Sequence, residues 1–218
     1  MASGKILGKK EANALVEKLA SHYRDAHYYL NFKTPIDLLV AAILSAQTRD
    51  QVTNSVTPSL FAKYRTAKDY ANSDEDALID MIKSVSFAGN KARSIIRACG
   101  IINERYKGKV PDKMDELLEL PGIGRKTANT ILINAYGVVE GIPVDTWVIK
   151  LSPRLGLSMN KNPDKIENDL KGTLDRKYWG KITYILKNHG RAVCQAVPQC
   201  SVCPVNNICP KNNVAKRI

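Results

Sequence analysis

The stretch that decides the fold reads Leu120-Pro121-Gly122-Ile123-Gly124-Arg125-Lys126-Thr127-Ala128. Two glycines let the backbone turn tightly and come close to a ligand. The residues that follow predict a helix start, where N–H groups without intrahelical partners point outward and suit a phosphate. The pattern predicts helix, tight turn, helix, which is a compact phosphate-binding device. The alternative is an ordinary helical corner with a glycine cap.

Lys126 stands near the start of the helix that this pattern predicts. The positive end of a helix dipole disfavours a second positive charge, so we expect this amine to become a neutral nucleophile more readily than other lysines. Asp145 follows nineteen positions later in Val144-Asp145-Thr146, a second helix-start pattern. On spacing alone, a surface lysine and a helix-capping aspartate explain the pair better than a shared function does.

Length and charge bound the class of protein. The chain has 218 residues, a hydrophobic content of 44% and a net charge of +12, which predicts one large or two small domains and favours a nucleic-acid partner over a merely solvated basic surface. The basic segment from Lys211 to Arg217 either touches phosphates or is a frayed terminus. No signal-peptide pattern is seen, and the apolar run from Ile36 to Leu44 is too short to cross a bilayer, so we expect a soluble intracellular protein.

Helical periodicity dominates the chain, and no alternating strand pair bounded by hairpin turns is seen. Thr34-Pro35 reads as a capped helix start, and Pro58 is expected to kink or restart a helix. The predicted helices span 12–23, 36–46, 91–106, 114–118, 126–136, 166–174 and 179–188, with a further start at 73–76. The break from Gly137 to Pro143 is the expected domain boundary, with Lys126 and Asp145 facing each other across a cleft.

Four of the five cysteines crowd into the end of the chain. Cys194, Cys200, Cys203 and Cys209 are separated by five, two and five residues. Four thiolates in one loop can hold zinc or a [4Fe–4S] cluster. Structural zinc usually takes two close pairs of ligands, so a single close pair favours iron–sulfur. Cys99 lies on an apolar helix face and reads as a core residue.

Gln47 and Phe87 form a second candidate pair. Gln47 ends the apolar helix, and Phe87 is in a loop between helices. An amide that can pair with a base edge and an aromatic wedge that can enter the base stack are what a base-flipping protein requires. A helix-end amide and a core phenylalanine are equally good readings from the sequence alone.

Together these residues resemble the endonuclease III family of DNA glycosylases, in the helix-hairpin-helix superfamily. The matching elements run in the family's order from about Leu38 to Cys209, nearly the whole chain. They are the 120–128 turn, Leu44-Ser45-Ala46-Gln47, Asn90-Lys91-Ala92, Val144-Asp145-Thr146, Arg154-Leu155-Gly156-Leu157, His189-Gly190-Arg191 and the terminal cysteine loop.

The resemblance implies an all-α fold of two helical domains flanking a DNA-binding cleft. A six-helix domain with the helix-hairpin-helix motif would span 28–139, and residues 1–27 and 140–218 would form the second domain. That second domain would hold a [4Fe–4S] cluster on the four clustered cysteines. Lys126 matches the family's catalytic nucleophile and Asp145 its acidic partner, while Gln47 matches the residue that fills the gap left by a flipped base. The other DNA-binding candidates are Phe87, Leu120, Gly122, Gly124, Arg125, Thr127, Lys187 and Arg191.

The implied activity is that of a bifunctional DNA glycosylase and AP lyase in base excision repair. It would act as a monomer, in the cytoplasm of a prokaryote, on duplex DNA with a damaged base, by default an oxidised or ring-saturated pyrimidine, or with an abasic site. Two alternatives are a thymine or uracil mismatch glycosylase, whose members tend to carry tyrosine at the lysine position, and a non-catalytic DNA-binding iron–sulfur module.

Three features of the sequence depart from the family pattern. Trp147 stands where histidine often follows Val-Asp-Thr, and Ser86-Phe87-Ala88 replaces the more usual glycine-leucine-tyrosine loop. The first cysteine gap has five residues where six is common. The first two departures bear on the target base, and the third is a minor loop change.

Overall fold

The computed structural model describes residues 4–218, and within that range every regular element is helical. The all-α fold class is therefore confirmed. The helices are α1 Lys9–His22, α2 Pro35–Ser45, α3 Asp50–Lys63, α4 Ala67–Ala71, α5 Glu75–Met81, α6 Ala88–Arg105, α7 Met114–Leu118, α8 Arg125–Tyr136, α9 Thr146–Arg154, α10 Pro163–Thr173 and α11 Ile182–Ala192, with short 3-10 turns at Arg176–Tyr178 and Cys200–Val202. None of the helices in this range is long and apolar enough to cross a membrane.

Helix α2 shows how local sequence sets the elements. The Thr34 hydroxyl accepts a hydrogen bond from the Asp37 N–H at 3.2 Å, and the Asp37 carboxylate accepts one from the Thr34 N–H at 3.0 Å. This reciprocal cap fixes the helix start, and Pro35 suits the first helical position because it has no N–H to lose. Every residue from Ile36 to Leu44 is buried, as the apolar run predicts.

The chain divides into two compact units. The first, here called the middle unit, is Tyr29–Val138 and contains α2 to α8. Within it, α6 packs against α4 and α5, while α2 packs against α3, α6 and α8. Helix α8, which follows the glycine turn, therefore has the most apolar helix of the chain behind it.

The second unit, here called the terminal unit, is built from residues 4–28 and Val139–Ile218. Helix α11 packs against α1 and α9, and α10 also packs against both. The N-terminal segment joins this unit through the Leu7 N–H, which donates to the Gly156 carbonyl at 2.8 Å. Gly156 has a φ of +70°, and a Cβ there would lie 2.7 Å from the Lys5 carbonyl oxygen, so glycine is needed for this close approach.

Two helical expectations from the sequence are corrected. Pro58 does not restart a helix, because α3 continues through it from Asp50 to Lys63. The buried residues Val56 and Leu60 flank the proline and anchor the helix, so tertiary packing outweighs the lost backbone hydrogen bond. Helix α11 begins at Ile182, since a 3-10 turn precedes it where the periodicity suggested an earlier start.

Candidate functional site

The glycine turn is held by apolar side chains on its inner side. Leu120 and Ile123 are buried, and the Ile123 N–H donates to the Leu120 carbonyl at 3.1 Å. Gly122 has a φ of +82°, and a Cβ there would lie 3.1 Å from the Ser94 Cβ, so the turn requires glycine at this position. Leu120 is only 1% exposed, so its side chain supports the turn from inside and does not reach a DNA ligand.

Lys126 is exposed and is the second residue of α8. Gly124 is the N-cap, and the first intrahelical hydrogen bond runs from the Ala128 N–H to the Gly124 carbonyl at 2.9 Å. Exposed Arg125 and half-buried Thr127 occupy the same first helical turn. The positive end of this helix and two cationic side chains therefore share one small surface, which suits a phosphodiester.

Asp145 is the N-cap of α9, in the terminal unit. Its side-chain oxygen Oδ1 accepts hydrogen bonds from the Trp147 and Val148 N–H groups, both at 2.9 Å. The residue is only 7% exposed. The capping role that the sequence suggested is thus present, and it fixes the carboxylate in one orientation.

Trp147, the unusual residue beside this aspartate, packs on a glycine of α11. A Cβ at Gly190 would lie 2.1 Å from the indole Cε3, so only glycine leaves room for the ring. The Lys150 ammonium also contacts this ring, at 5.0 Å from the ring centroid. The indole is therefore fixed within two residues of Asp145.

Gln47 and Phe87 share an unusual backbone. Gln47 has a φ of 53° and Phe87 a φ of 58°, and this left-handed conformation costs a residue with a side chain about 1–2 kcal/mol. Both side chains are exposed, and Phe87 is 62% exposed. The reading of Phe87 as a core residue is therefore wrong, and both residues stand on the surface of the middle unit.

Lys91, quoted above in the motif Asn90-Lys91-Ala92 without a role of its own, is buried beneath these two residues. The Lys91 ammonium donates to the Leu44 carbonyl at 2.7 Å, the Ala46 carbonyl at 2.5 Å and the Thr48 hydroxyl at 2.9 Å. The Thr48 hydroxyl also accepts from the Ser86 N–H at 3.2 Å. The signal was present in the sequence, because Lys91 continues the apolar face of α6, where a charged residue is out of place.

The four clustered cysteines line one small cavity in the terminal unit, and none of them forms a disulfide. Burial and the neighbouring thiols raise the pKa of Cys203, and burial raises the pKa of Cys209 to about 11. Such a site favours a cationic group that would stabilise the thiolates. Among residues 4–218, no three His, Cys, Asp or Glu side chains are gathered closely enough to hold a single metal ion.

The donor set itself fits an iron–sulfur cluster. A [4Fe–4S] cluster is held by four cysteine thiolates. The donor set, four free thiols around one cavity, therefore suits the cluster that the resemblance implies.

Two side chains outside the cysteine set support this loop. Arg154 donates to the carbonyls of Cys194 at 3.2 Å and Gln195 at 2.6 Å. The His189 Nε2 lies 3.9 Å from the Cys203 sulfur, and its Nδ1 lies 3.1 Å from the Tyr23 hydroxyl. Both residues stand in the sequence motifs quoted above, but only the fold shows what they touch.

The basic side chains near the C-terminus differ in their solvent exposure. Arg191 is exposed, as a phosphate contact requires. Lys187 is only 5% exposed, which argues against the expected phosphate contact, because a buried ammonium does not reach a phosphodiester. The terminus is not frayed, since the Ile218 N–H donates to the Pro198 carbonyl at 3.0 Å.

Known proteins are similar to this chain in both sequence and fold. Residues 40–176 match the profile of the HhH-GPD superfamily of base excision DNA repair proteins. Endonuclease III of Synechocystis sp. is 43% identical over 188 residues, which cover 86% of this chain and 86% of that one. Endonuclease III of Thermotoga maritima is 37% identical over 161 residues, which cover 74% of this chain and 75% of that one.

Solved structures agree with these relatives. A trapped endonuclease III–DNA covalent intermediate aligns with a TM-score of 0.88 at 37% identity, over 94% of this chain and 96% of that one. A thermostable thymine-DNA glycosylase aligns with a TM-score of 0.82 at 18% identity, over 92% and 95%, which shows the fold alone. The chain therefore belongs to the endonuclease III family, within the HhH-GPD superfamily of base excision DNA repair proteins.

Proposed function

We propose that this protein is a bifunctional DNA glycosylase and AP lyase that removes damaged bases from duplex DNA. The observation that carries the proposal is the exposed Lys126 at the start of α8, directly after the glycine turn. A relative with 37% identity has been trapped as a covalent complex with DNA. An amine presented at a phosphate-binding turn is the group that such a covalent step requires.

Lys126 acts as the nucleophile. Its neutral amine attacks C1′ of the damaged nucleotide, and the bond between C1′ and the base breaks with the electron pair leaving on the base. Opening of the sugar ring gives an imine between the lysine nitrogen and C1′. The imine acidifies the proton on C2′, and loss of that proton expels the 3′ phosphate by β-elimination.

Asp145 supports the first of these steps. Departure of the base gives the sugar oxocarbenium-like positive charge, which a fixed carboxylate stabilises. The same carboxylate can accept the proton that the Lys126 ammonium must lose before its neutral amine attacks. The two N–H groups that hold Oδ1 keep the side chain oriented while this happens.

The remaining site residues grip the DNA. The backbone of the turn at Gly122 and Gly124, with Arg125 and Thr127, binds a phosphate at the positive end of α8. Gln47 fills the space that a flipped nucleotide leaves, and Phe87 enters the base stack beside it. Arg191 supplies a further phosphate contact from the terminal unit.

The four cysteines hold a [4Fe–4S] cluster. Cys194, Cys200, Cys203 and Cys209 would each supply one thiolate, and Arg154 would order the loop that carries them. Such a cluster would order the loop through its bonds to the four thiolates, and the glycosidic chemistry proposed above uses no electron from it.

Oxidised or ring-saturated pyrimidines are the proposed substrate class. The second candidate is a mismatch glycosylase for thymine or uracil, supported by Trp147, which stands two residues after the Asp145 cap of α9 where the family often has histidine. The presence of lysine at position 126 favours the first candidate, because a mismatch glycosylase without lyase activity has no need of an amine.

Borohydride trapping on abasic duplex DNA tests the lyase step. Wild type should give a covalent protein–DNA adduct, and Lys126→Gln should give none while still binding the duplex. Lys68→Gln, which changes an exposed lysine of α4 in the same unit, is the matched control and should trap normally. A wild type that binds DNA but forms no adduct would leave the non-catalytic iron–sulfur module as the better description.

Two further measurements complete the test. Duplexes that each carry one defined lesion, scored separately for base release and strand nicking, distinguish oxidised pyrimidines from G·T and G·U mismatches. Metal analysis of the purified protein should find about four iron atoms per chain. Stoichiometric zinc without iron would contradict the cluster, and Cys203→Ser should disorder the loop.

A further inference from the structure

We propose that Lys91 is a positioning residue that holds the Gln47 turn and the Phe87 turn in the shapes in which they enter DNA. The proposal rests on the function proposed above, which gives these two residues their roles. It adds a residue that does not touch DNA and acts through both of them.

The Lys91 ammonium has an acceptor for each of its donors. A lysine ammonium has three N–H groups, and three acceptors surround this one: the Leu44 carbonyl, the Ala46 carbonyl and the Thr48 hydroxyl. Burial lowers the pKa of Lys91 to about 8, so the ammonium form prevails at neutral pH. No salt bridge in the described part of the chain includes it, so its charge is stabilised by the carbonyl dipoles at the end of α2.

Gln47 lies between two residues that Lys91 contacts. Its two neighbours, Ala46 and Thr48, are both bonded to the Lys91 ammonium. The left-handed conformation of Gln47 is therefore fixed from either side, although its own side chain remains exposed. A residue with a side chain keeps this conformation only when its surroundings impose it.

The Phe87 turn is connected to the same lysine. The Thr48 hydroxyl accepts from the Ser86 N–H at 3.2 Å, one residue before Phe87. The backbone N–H of Lys91 donates to the Phe87 carbonyl at 3.1 Å, as the first hydrogen bond of α6. Lys91 thus contacts both turns, through its side chain on one and its backbone on the other.

The consequence is a division between two activities. Flipping a paired nucleotide requires both surface side chains to enter the duplex, whereas β-elimination at an abasic site in single-stranded DNA has no partner base to replace and no stack to open. Loss of the Lys91 ammonium should impair the first activity and spare the second. A merely structural role would impair both equally, because both need the folded protein.

The experiment compares Lys91→Met with wild type, with Lys68→Met as the control for removing a surface lysine. Under single-turnover conditions, we expect Lys91→Met to release a damaged base from duplex DNA at least tenfold more slowly. Borohydride trapping on single-stranded abasic DNA should remain within twofold of wild type. Thr48→Val, which keeps the shape of the side chain but removes the hydroxyl, should reproduce part of the duplex defect and serves if Lys91→Met does not fold.

A double-mutant cycle tests whether Lys91 acts through the turn residues. In a Gln47→Ala, Phe87→Ala background, replacement of Lys91 should slow duplex excision by less than threefold, because the residues that it positions are already gone. Equal slowing in both backgrounds overturns the proposal, and so does a wild-type duplex rate in both Lys91→Met and Thr48→Val. A wild type that forms no adduct overturns the proposed function itself, whereas an active wild type with unaffected variants overturns only the role of Lys91.

Discussion

At the scale of single residues, Asp145 combines a structural role with a proposed chemical one, and the two can be separated. Asn is as good an N-cap as Asp but carries no charge. We expect Asp145→Asn to keep the melting temperature close to that of wild type and to slow base excision about 10²- to 10⁴-fold, because the charge that stabilises the sugar is gone. Single-turnover excision and thermal unfolding measure the two effects.

The matching control is Asp145→Ala, which removes both the cap and the charge. It should lose about 1 kcal/mol of stability in addition to the catalytic defect. An Asp145→Asn variant that excises bases at the wild-type rate would show that only the cap matters, and the acidic role would then be wrong.

Lys91 should also change how the free energy of unfolding depends on pH. Its pKa is lowered from 10.5 to about 8 in the folded protein, so between these values the unfolded chain binds the proton and the folded protein does not. Stability therefore rises with pH across this window, and the cost of burying the charge is complete only below pH 8. Relative to Lys91→Met, wild type should gain roughly 2 kcal/mol between pH 7 and pH 9.5.

Denaturant unfolding of both proteins at several pH values gives this difference. Subtracting one protein from the other cancels every titrating group that they share, so the slope belongs to Lys91. A difference that stays flat, or that falls as the pH rises, would contradict the burial of a charged amine at this position.

At the scale of secondary structure, the contact between α9 and α11 depends on one missing methyl group. A Cβ at Gly190 would lie 2.1 Å from the Trp147 ring, which is far closer than van der Waals contact allows. We expect Gly190→Ala to destabilise the protein by about 1–3 kcal/mol through overpacking, and to disturb Asp145 by displacing the indole two residues away. Thermal unfolding and excision rates measure the two consequences.

A second glycine in the same unit provides the control. Gly172 lies in α10 with nothing within 4 Å of an added Cβ, so Gly172→Ala should stabilise the protein by about 0.5–1 kcal/mol. If the ring is the cause of the defect, adding Trp147→Ala should remove most of the extra cost of Gly190→Ala. Equal costs with and without the indole would refute the packing explanation.

Some helix boundaries could be predicted from local sequence and others could not. Thr34 and Pro35 mark the start of α2 by local rules, and the structure confirms that start. The glycine turn before α8 follows local rules in the same way. Local rules predicted a kink or a restart at Pro58, whereas α3 continues through it with Val56 and Leu60 buried on either side.

The candidate site likewise contains residues that could be predicted from the sequence and residues that could not. Lys126 stands out because it follows a glycine turn at a helix start, and the four cysteines stand out because they are clustered. Lys91 and Arg154 do not, because each acts through contacts with segments about forty positions away. Phe87 could not be assigned to core or surface until its exposure was known. Sequence identifies groups that carry chemistry, whereas the groups that position them emerge only from the fold.

At the scale of the whole molecule, the net charge of +12 should govern affinity for DNA. Each phosphate that the protein neutralises releases condensed counterions, so the logarithm of the binding constant should fall linearly with the logarithm of the salt concentration, with a slope of about −0.9 per contact. We expect Arg125→Gln to reduce the magnitude of that slope by about one, since Arg125 is proposed to contact a phosphate at the turn.

Lys68→Gln removes the same charge from α4, away from the turn in sequence, and should leave the slope unchanged. Fluorescence anisotropy on an undamaged duplex between 50 and 200 mM salt measures all three slopes. If the two variants lower the slope equally, affinity depends on the overall charge and not on the glycine turn, and the turn would lose its proposed role in gripping the backbone.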